Sequence, residues 1–246
     1  MSPSTAAEVR TALAAVADPI DAANLARFFQ TQPDGYGEGD VFIGVRVPAA
    51  RAVATTYADL PLDQIRSLLD DAEHEHRFTA LVIAVNAFRR ALRARTQDPT
   101  LRADLHALYC DAVHSGRVNN WDLVDVSAEW LVGEHLRTSA STTALIHALT
   151  AQQDLWRRRV GIMATFAFIK AGDPSPTLIA VASVLDDRRD LIQKASGWML
   201  REVGKRIDRD LLVDFLDTHA ASMGRTALSY ATEHLEPALR AELRAL

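Results

Sequence analysis

Three segments of the chain carry side chains whose types and spacing could do chemistry. In "VNNWDLVDVSAEWL" (118–131), Trp121 and Asp125 stand four residues apart, which puts them one turn apart on one face of a helix. At about 100° per residue, the apolar stripe of that helix runs through Leu123, Val126 and Trp130 with Ser127 beside them. Trp121 and Asp125 fall on the opposite side, where water is expected. An indole beside a carboxylate suits a particular task. An aromatic face attracts a cation, and a lone carboxylate stabilises an oxocarbenium ion as it develops.

The second segment, "LIQKASGWMLREVGKR" (191–206), divides the same way. Ile192, Ala195, Met199 and Val203 make its apolar face, and Lys194, Trp198, Arg201 and Lys205 cluster opposite. A tryptophan again stands off the core stripe, here among three cations. The plainer alternative is a solvated basic face on which a neighbouring helix covers Trp198. The third segment, "LWRRRVGIMATFAFIK" (155–170), opens with three arginines and is then apolar nearly all round. Arg159 shares a face with Leu155, Met163 and Phe166, so its guanidinium calls for an anionic partner, either an acidic side chain or a phosphate. Arg157 and Arg158 read as surface charges. Two outward tryptophans, one carboxylate and a set of cations together suit a flat, positively charged ligand joined to a polyanion. DNA carrying a cationic alkylated purine meets all three demands.

Other chemistry finds little support. "GYGEGD" (35–40) lacks the GK[ST] of a phosphate loop and reads as a turn with glycines at positive φ. His74 and His76 are two residues apart and diverge on a helix, which makes them a poor metal pair. There is no HExxH and no GxSxG, so neither a metal nor a cofactor is expected. The single cysteine, Cys110, allows no intramolecular disulfide and fits a reducing cytoplasm. The first residues lack a signal-peptide pattern, and no apolar run approaches the roughly 20 residues of a membrane span.

A net charge of −5 argues mildly against nucleic acid for the chain as a whole. Its distribution is uneven, however. Residues 151–210 carry 11 Lys and Arg against 8 Asp and Glu, inside an otherwise acidic chain.

The elements that must position these residues are helices. Periodicity predicts them at about 6–26, 48–57, 61–70, 74–95, 99–115, 121–136, 139–150, 153–171, 175–186, 189–206, 208–220 and 223–245. "VFIGVRV" (41–47) is the nearest candidate for a strand, and it reads as an extended lead into a helix starting at Pro48. No linker divides the chain, which is expected to be one domain over 1–246. Short helices joined by short loops point to an all-α, HEAT-like helical repeat solenoid. A compact bundle of unrelated helices is the alternative.

"NNWDLVD" (119–125), "LWRRRVGIM" (155–163), "IQKASGWMLREVGK" (192–205) and "YGEGDVFIGVRVPAAR" (36–51) resemble signature segments of the AlkD-type DNA alkylation-repair glycosylases, the HEAT-like repeat alkylpurine DNA glycosylases. The order and approximate spacing agree over residues 25 to 240. The resemblance implies a concave, basic surface that wraps duplex DNA, and excision of N3- and N7-alkylated purines without the usual base flipping. It implies that Trp121 and Trp198 are aromatic walls, Asp125 the catalytic carboxylate and Arg159 the arginine of the cleft. It also implies DNA contacts for Lys194, Arg201, Lys205, Arg157, Arg158, Arg46 and Arg51. The motif holds no lysine nucleophile, so neither a Schiff base nor strand cleavage is expected. The expected partner is double-stranded DNA containing alkylated purines, bound by a cytoplasmic monomer without membrane or metal. Two other readings of the same fold are a non-catalytic binder of branched or damaged DNA and a protein-interaction scaffold.

Overall fold

The computed structural model describes residues 4–139 and 141–245. Every named element among them is helical, and the architecture is consistent with a HEAT-like helical repeat. "VFIGVRV" contributes only an isolated parallel bridge between Val41 and Glu73. By its internal packing the chain parts into two compact units, Met1–Ser127 and Ala128–Leu246.

The first unit holds α1 (Ala6–Ala14), α2 (Pro19–Phe28), α3 (Val47–Thr56), α4 (Leu62–Leu69), α5 (His74–Ala91), α6 (Pro99–His114) and α7 (Trp121–Ala128). The single helix expected over 6–26 is two. Pro19 cannot continue a helix but can open one, and the Asp18 side chain caps it by accepting from the Ile20 and Asp21 amides. The third helix begins at Val47 rather than Pro48. Helix α5 is central and packs against α3, α4 and α6. It buries Phe78, Leu81, Ile83 and Phe88 around its circumference.

The second unit begins with a π-helical stretch, Glu129–Glu134, and continues through α8 (His135–Thr138), α9 (Ala144–Thr150), α10 (Leu155–Ala164) and α11 (Phe166–Lys170). It then runs through α12 (Ser175–Ala182), α13 (Asp190–Arg206), α14 (Arg209–His219), α15 (Arg225–Ala231) and α16 (Pro237–Ala245). The helix expected over 153–171 is interrupted at Thr165, whose hydroxyl and amide both bond to the Ile162 carbonyl. The helix expected over 223–245 is divided, with Pro237 opening its second part. Helix α13 runs through the core of this unit and packs against α10, α12, α14 and α15.

The π-helical stretch corrects the expected stripe of the 121–136 helix. A π turn adds a residue and rotates everything after it, so 100° per residue no longer applies. Leu123, Val124, Ser127 and Ala128 are buried, whereas Val126 and Trp130 are half-buried.

Candidate active site

In the first unit the site is built around the start of α5, "HEHR" (74–77), four polar residues that are all buried. Each is satisfied by a different segment, as burial of polar groups demands. The Glu75 carboxylate accepts from the amides of Ile43, Gly44 and Val45, at 3.1, 2.8 and 3.1 Å. It thereby holds the extended segment against the helix. Gly44 is required there: its φ is +86°, and a Cβ would lie 1.9 Å from the Asp18 carbonyl oxygen. His76 Nδ1 meets Asp71 at 2.9 Å, and Arg10 holds both oxygens of that carboxylate. Asp71, Glu73 and His76 bring possible metal-ligand atoms within 4.8 Å of one another. The Arg10 guanidinium already balances Asp71, so the geometry reads as an ion-pair network tying α1 to α5.

His74 and Arg77 turn the other way. The His74 ring meets Asp40 through Nδ1 and Asp122 through Nε2, each at 2.9 Å. Arg77 donates to the same Asp40, which also accepts from Asn120 Nδ2 at 3.0 Å and Asn119 Nδ2 at 3.3 Å. Burial pushes the Asp40 carboxyl up, but the His74 bond and the Arg77 charge outweigh it and hold the carboxyl at about 2. Burial pushes His74 down, and the bonds to Asp122 and Asp40 raise it, to about 9. Asp40 is the last residue of "GYGEGD". Gly39 in that turn does have a positive φ, while Gly35 and Gly37 do not.

This network seats the start of α7. Asn120 Oδ1 accepts from the Trp121 amide at 2.9 Å, and Asp122 Oδ1 from the Leu123 amide at 2.9 Å. The Trp121 ring is half-buried and lies stacked on Phe29, with centroids 5.3 Å apart and planes 20° apart. Phe29 stacks in turn on Phe42, and Phe42 on the His74 imidazole. Phe28, 63% exposed, meets Trp121 edge-on. Asp125 follows one turn later and is partly exposed. Its charge helps to raise the Tyr109 phenol, after the larger effect of burial. The expected pairing of Trp121 and Asp125 outside the core stripe of α7 is therefore present, with Phe29 covering the Trp121 ring.

The second unit carries the remaining residues. Ile192, Ala195, Met199 and Val203 are fully buried, and each of the three larger ones contributes about 2 kcal/mol by leaving water. Trp198 is half-buried on the other side of α13 and tilts against Phe166, with centroids 6.4 Å apart. Lys170 and Arg206 both lie over the Phe166 ring, at 4.4 and 5.2 Å from its centroid. Gly197 permits the packing behind Trp198, because a Cβ there would come within 2.3 Å of the Ala227 carbonyl oxygen. Arg159 is buried and donates to the Leu191 carbonyl at 2.6 Å, tying α10 to the first turn of α13.

Several of the cations expected to meet phosphate have carboxylate partners. Arg46 holds Asp21 through two bonds, Arg158 meets Asp187 at 2.6 Å, and Lys194 meets Asp190 one turn earlier at 2.7 Å. Arg201 is paired with Glu233. Burial pushes the Asp187 carboxyl up, but bonds from Arg189 and Arg158 hold it at about 2. Arg51 is exposed and stands 5.9 Å from the Phe78 ring centroid, and Arg157 is half-buried. Exposed Lys205 lines a cavity of about 370 Å³ with Arg201, Arg209 and His234, floored by Leu212, Ala231 and Leu235.

The model of a family described as DNA alkylation repair enzyme matches residues 9–235. The chain belongs to that family. A DNA alkylation repair enzyme acts on DNA, so a role in DNA repair follows for this member. Among solved structures, the chain is similar to a "Predicted DNA alkylation repair enzyme from Enterococcus faecalis", at 17% identity and a TM-score of 0.68. That likeness covers 90% of this chain and 97% of the other, and it shows the shared fold. No curated protein matches. No helix among the described residues of this family member is long and apolar enough to cross a membrane.

The sequence reading missed Asp40, His74, Arg77 and Phe29. The one available signal was "HEHR", charged and polar on every side at the start of an otherwise apolar helix.

Proposed function

We propose that the protein is a monofunctional alkylpurine DNA glycosylase, which hydrolyses the N-glycosidic bond of N3- or N7-alkylated purines in duplex DNA and leaves an abasic site. The observation that carries this reading is the first turn of α7. There a stacked, half-buried Trp121 precedes by one turn a partly exposed Asp125. The stripe of α13 that holds Trp198 among Lys194, Arg201 and Lys205 supports it.

The chemistry follows from charge. An alkylated purine is already cationic, so it departs as a neutral base and needs no general acid. As the bond between C1′ and the base nitrogen breaks, its electron pair leaves with the purine and positive charge builds on the sugar. Asp125 opposes that charge, and Trp121 and Trp198 supply indole faces to it. Stabilisation of this kind is worth on the order of 3–4 kcal/mol, a hundredfold or more in rate. A water oriented by Asp125 adds to C1′ and gives up its proton. Arg159 and the cations Lys194, Arg201, Lys205, Arg157, Arg158, Arg46 and Arg51 are assigned to the phosphates on a concave face, and the protein acts as a single-domain cytoplasmic monomer.

The test is incubation with duplex DNA containing N7-methylguanine. Free base should appear faster than its spontaneous release, and the strand should break only after alkali treatment. Release at the spontaneous rate from DNA shown to be bound overturns the reading. Extending the panel to bulky N3 and N7 adducts defines the specificity.

A further inference from the structure

We propose that His74, as an imidazolium donating to Asp40 and Asp122 at once, is a positioning residue that holds Trp121 and Asp125 in their working placement. The inference rests on the glycosylase reading for its catalytic consequence, but not for its structural content.

The hydrogen-bond geometry requires the charge. A neutral imidazole has one N–H and one lone pair. With carboxylate oxygens 2.9 Å from both ring nitrogens, a neutral ring would set a lone pair against one of them. Only the doubly protonated ring satisfies both. The charge count agrees: His74 and Arg77 stand against Asp40 and Asp122, two positive and two negative. Three of these side chains are nearly sealed from water, at 3% (His74), 4% (Arg77) and 1% (Asp40) exposure. Loss of the His74 proton would leave an uncompensated buried negative charge.

Two routes lead from this ring to Trp121. Along the backbone, Asp40 holds Asn120, which accepts from the Trp121 amide, and His74 holds Asp122, the next residue. Through the side chains, the imidazole stacks on Phe42 at 4.4 Å and touches Phe29 at 5.1 Å, and Phe29 carries the indole. The ionisable groups around the ring are Asp40 from the loop, Asp122 from α7 and Arg77 from α5. Glu75 turns instead to the amides of residues 43–45. Because the folded value lies above that of a free histidine, the contribution is complete below about 6.5 and is lost as the pH rises through about 9.

Asp122→Asn separates charge from shape. Its carbonyl oxygen can still accept from the Leu123 amide, while its amide donates to a neutral His74 Nε2. The hydrogen bonds survive and the need for the proton disappears.

The experiment is nitrogen–proton NMR of the full chain, following the His74 ring and the Trp121 indole from pH 6 to 10. It is paired with single-turnover excision of N7-methylguanine and with duplex-binding titrations. Wild type should show two ring protons on His74 at pH 7, and a Trp121 indole signal that moves in step with loss of one of them near pH 9. In Asp122→Asn that step should vanish, with the Trp121 signal and the excision rate at pH 7 within about threefold of wild type. His74→Leu should shift the Trp121 signal at every pH and lower excision at least tenfold, with duplex binding within threefold. A Trp121 signal indifferent to His74 titration, or a neutral His74 at pH 7, overturns the proposal even if His74→Leu does not fold. Absence of excision by wild type sinks the glycosylase reading instead and leaves the NMR result to decide the coupling.

Discussion

The Trp121 indole lies nearly parallel on the Phe29 ring, 20° apart in plane and 5.3 Å between centroids. Phe29 is buried and supports that face of the indole, so Phe29→Leu removes the stacked partner while keeping an apolar side chain. The lost packing and ring contact should cost about 1–2 kcal/mol of stability. Excision should fall about tenfold under conditions where the variant remains fully folded. Denaturant titration and single-turnover kinetics separate the two effects. An unchanged rate would show that Trp121 keeps its place without Phe29.

Asp125→Asn changes charge with almost no change in volume. Stabilisation of a sugar cation should drop about a hundredfold or more. Duplex binding should stay within twofold, because the position opposes phosphate rather than attracting it. Equal excision by variant and wild type would remove the carboxylate from the mechanism.

How far these features could be read from sequence depends on how far away their partners lie. The face of α13 was legible because Ile192, Ala195, Met199 and Val203 follow a simple helical period and are all buried. The outward setting of Trp121 and Asp125 was legible for the same reason, because α7 is regular up to Ala128. Beyond that point the π-helical residues 129–134 broke the period, and Trp130 left the expected stripe. The "HEHR" turn was not legible, because its burial depends on Asp40, 34 residues from His74, and Asp122, 48 residues away. Pairing of cations divides in the same way. Lys194 with Asp190 is an i,i+4 pair visible in the sequence. Arg158 with Asp187 and Arg201 with Glu233 join residues 29 and 32 apart, so a helical wheel gives the face but not its neutralising acid.

That difference separates two cations on one face of α13. Arg201 is held by Glu233, whereas exposed Lys205 lines its cavity with Arg201, Arg209 and His234. Lys205→Ala should weaken duplex binding and reduce the slope of log affinity against log salt by about 1. Arg201→Ala should change the slope less, since it also frees the Glu233 carboxylate. Binding titrations between low and moderate salt check this. Equal slopes for wild type and Lys205→Ala would mean that Lys205 meets no phosphate.

The Asp187 carboxylate gathers Arg158 and Arg189, the latter through Nη2 at 2.6 Å. Its folded value, about 2, lies below the ordinary value of 3.8. Its contribution is therefore present above about pH 4 and is lost as the pH falls through about 2. Asp187→Asn leaves the largely buried Arg158 without that counter-charge and should destabilise the protein by about 3 kcal/mol at pH 7. The loss should shrink as the pH approaches 2, because the wild-type carboxyl is then protonated as well. Denaturant midpoints at pH 7 and at pH 3 or below test the trend. A loss independent of pH would mean that packing rather than charge sets it.

Gly197 stands directly before Trp198, where α13 crosses α15. A Cβ at 197 would meet the Ala227 carbonyl oxygen at 2.3 Å and the Tyr230 Cβ at 2.6 Å, neither of which is the far end of a flexible side chain. Gly197→Ala must therefore push the two helices apart, at a cost of about 1–3 kcal/mol, despite the better helix propensity of alanine. Displacement of α13 moves Trp198 relative to Phe166, so Trp198 fluorescence and single-turnover excision should change together. An alanine variant as stable as wild type would show that α13 and α15 do not pack this closely. Retained stability with lost excision would place the effect on Trp198 alone.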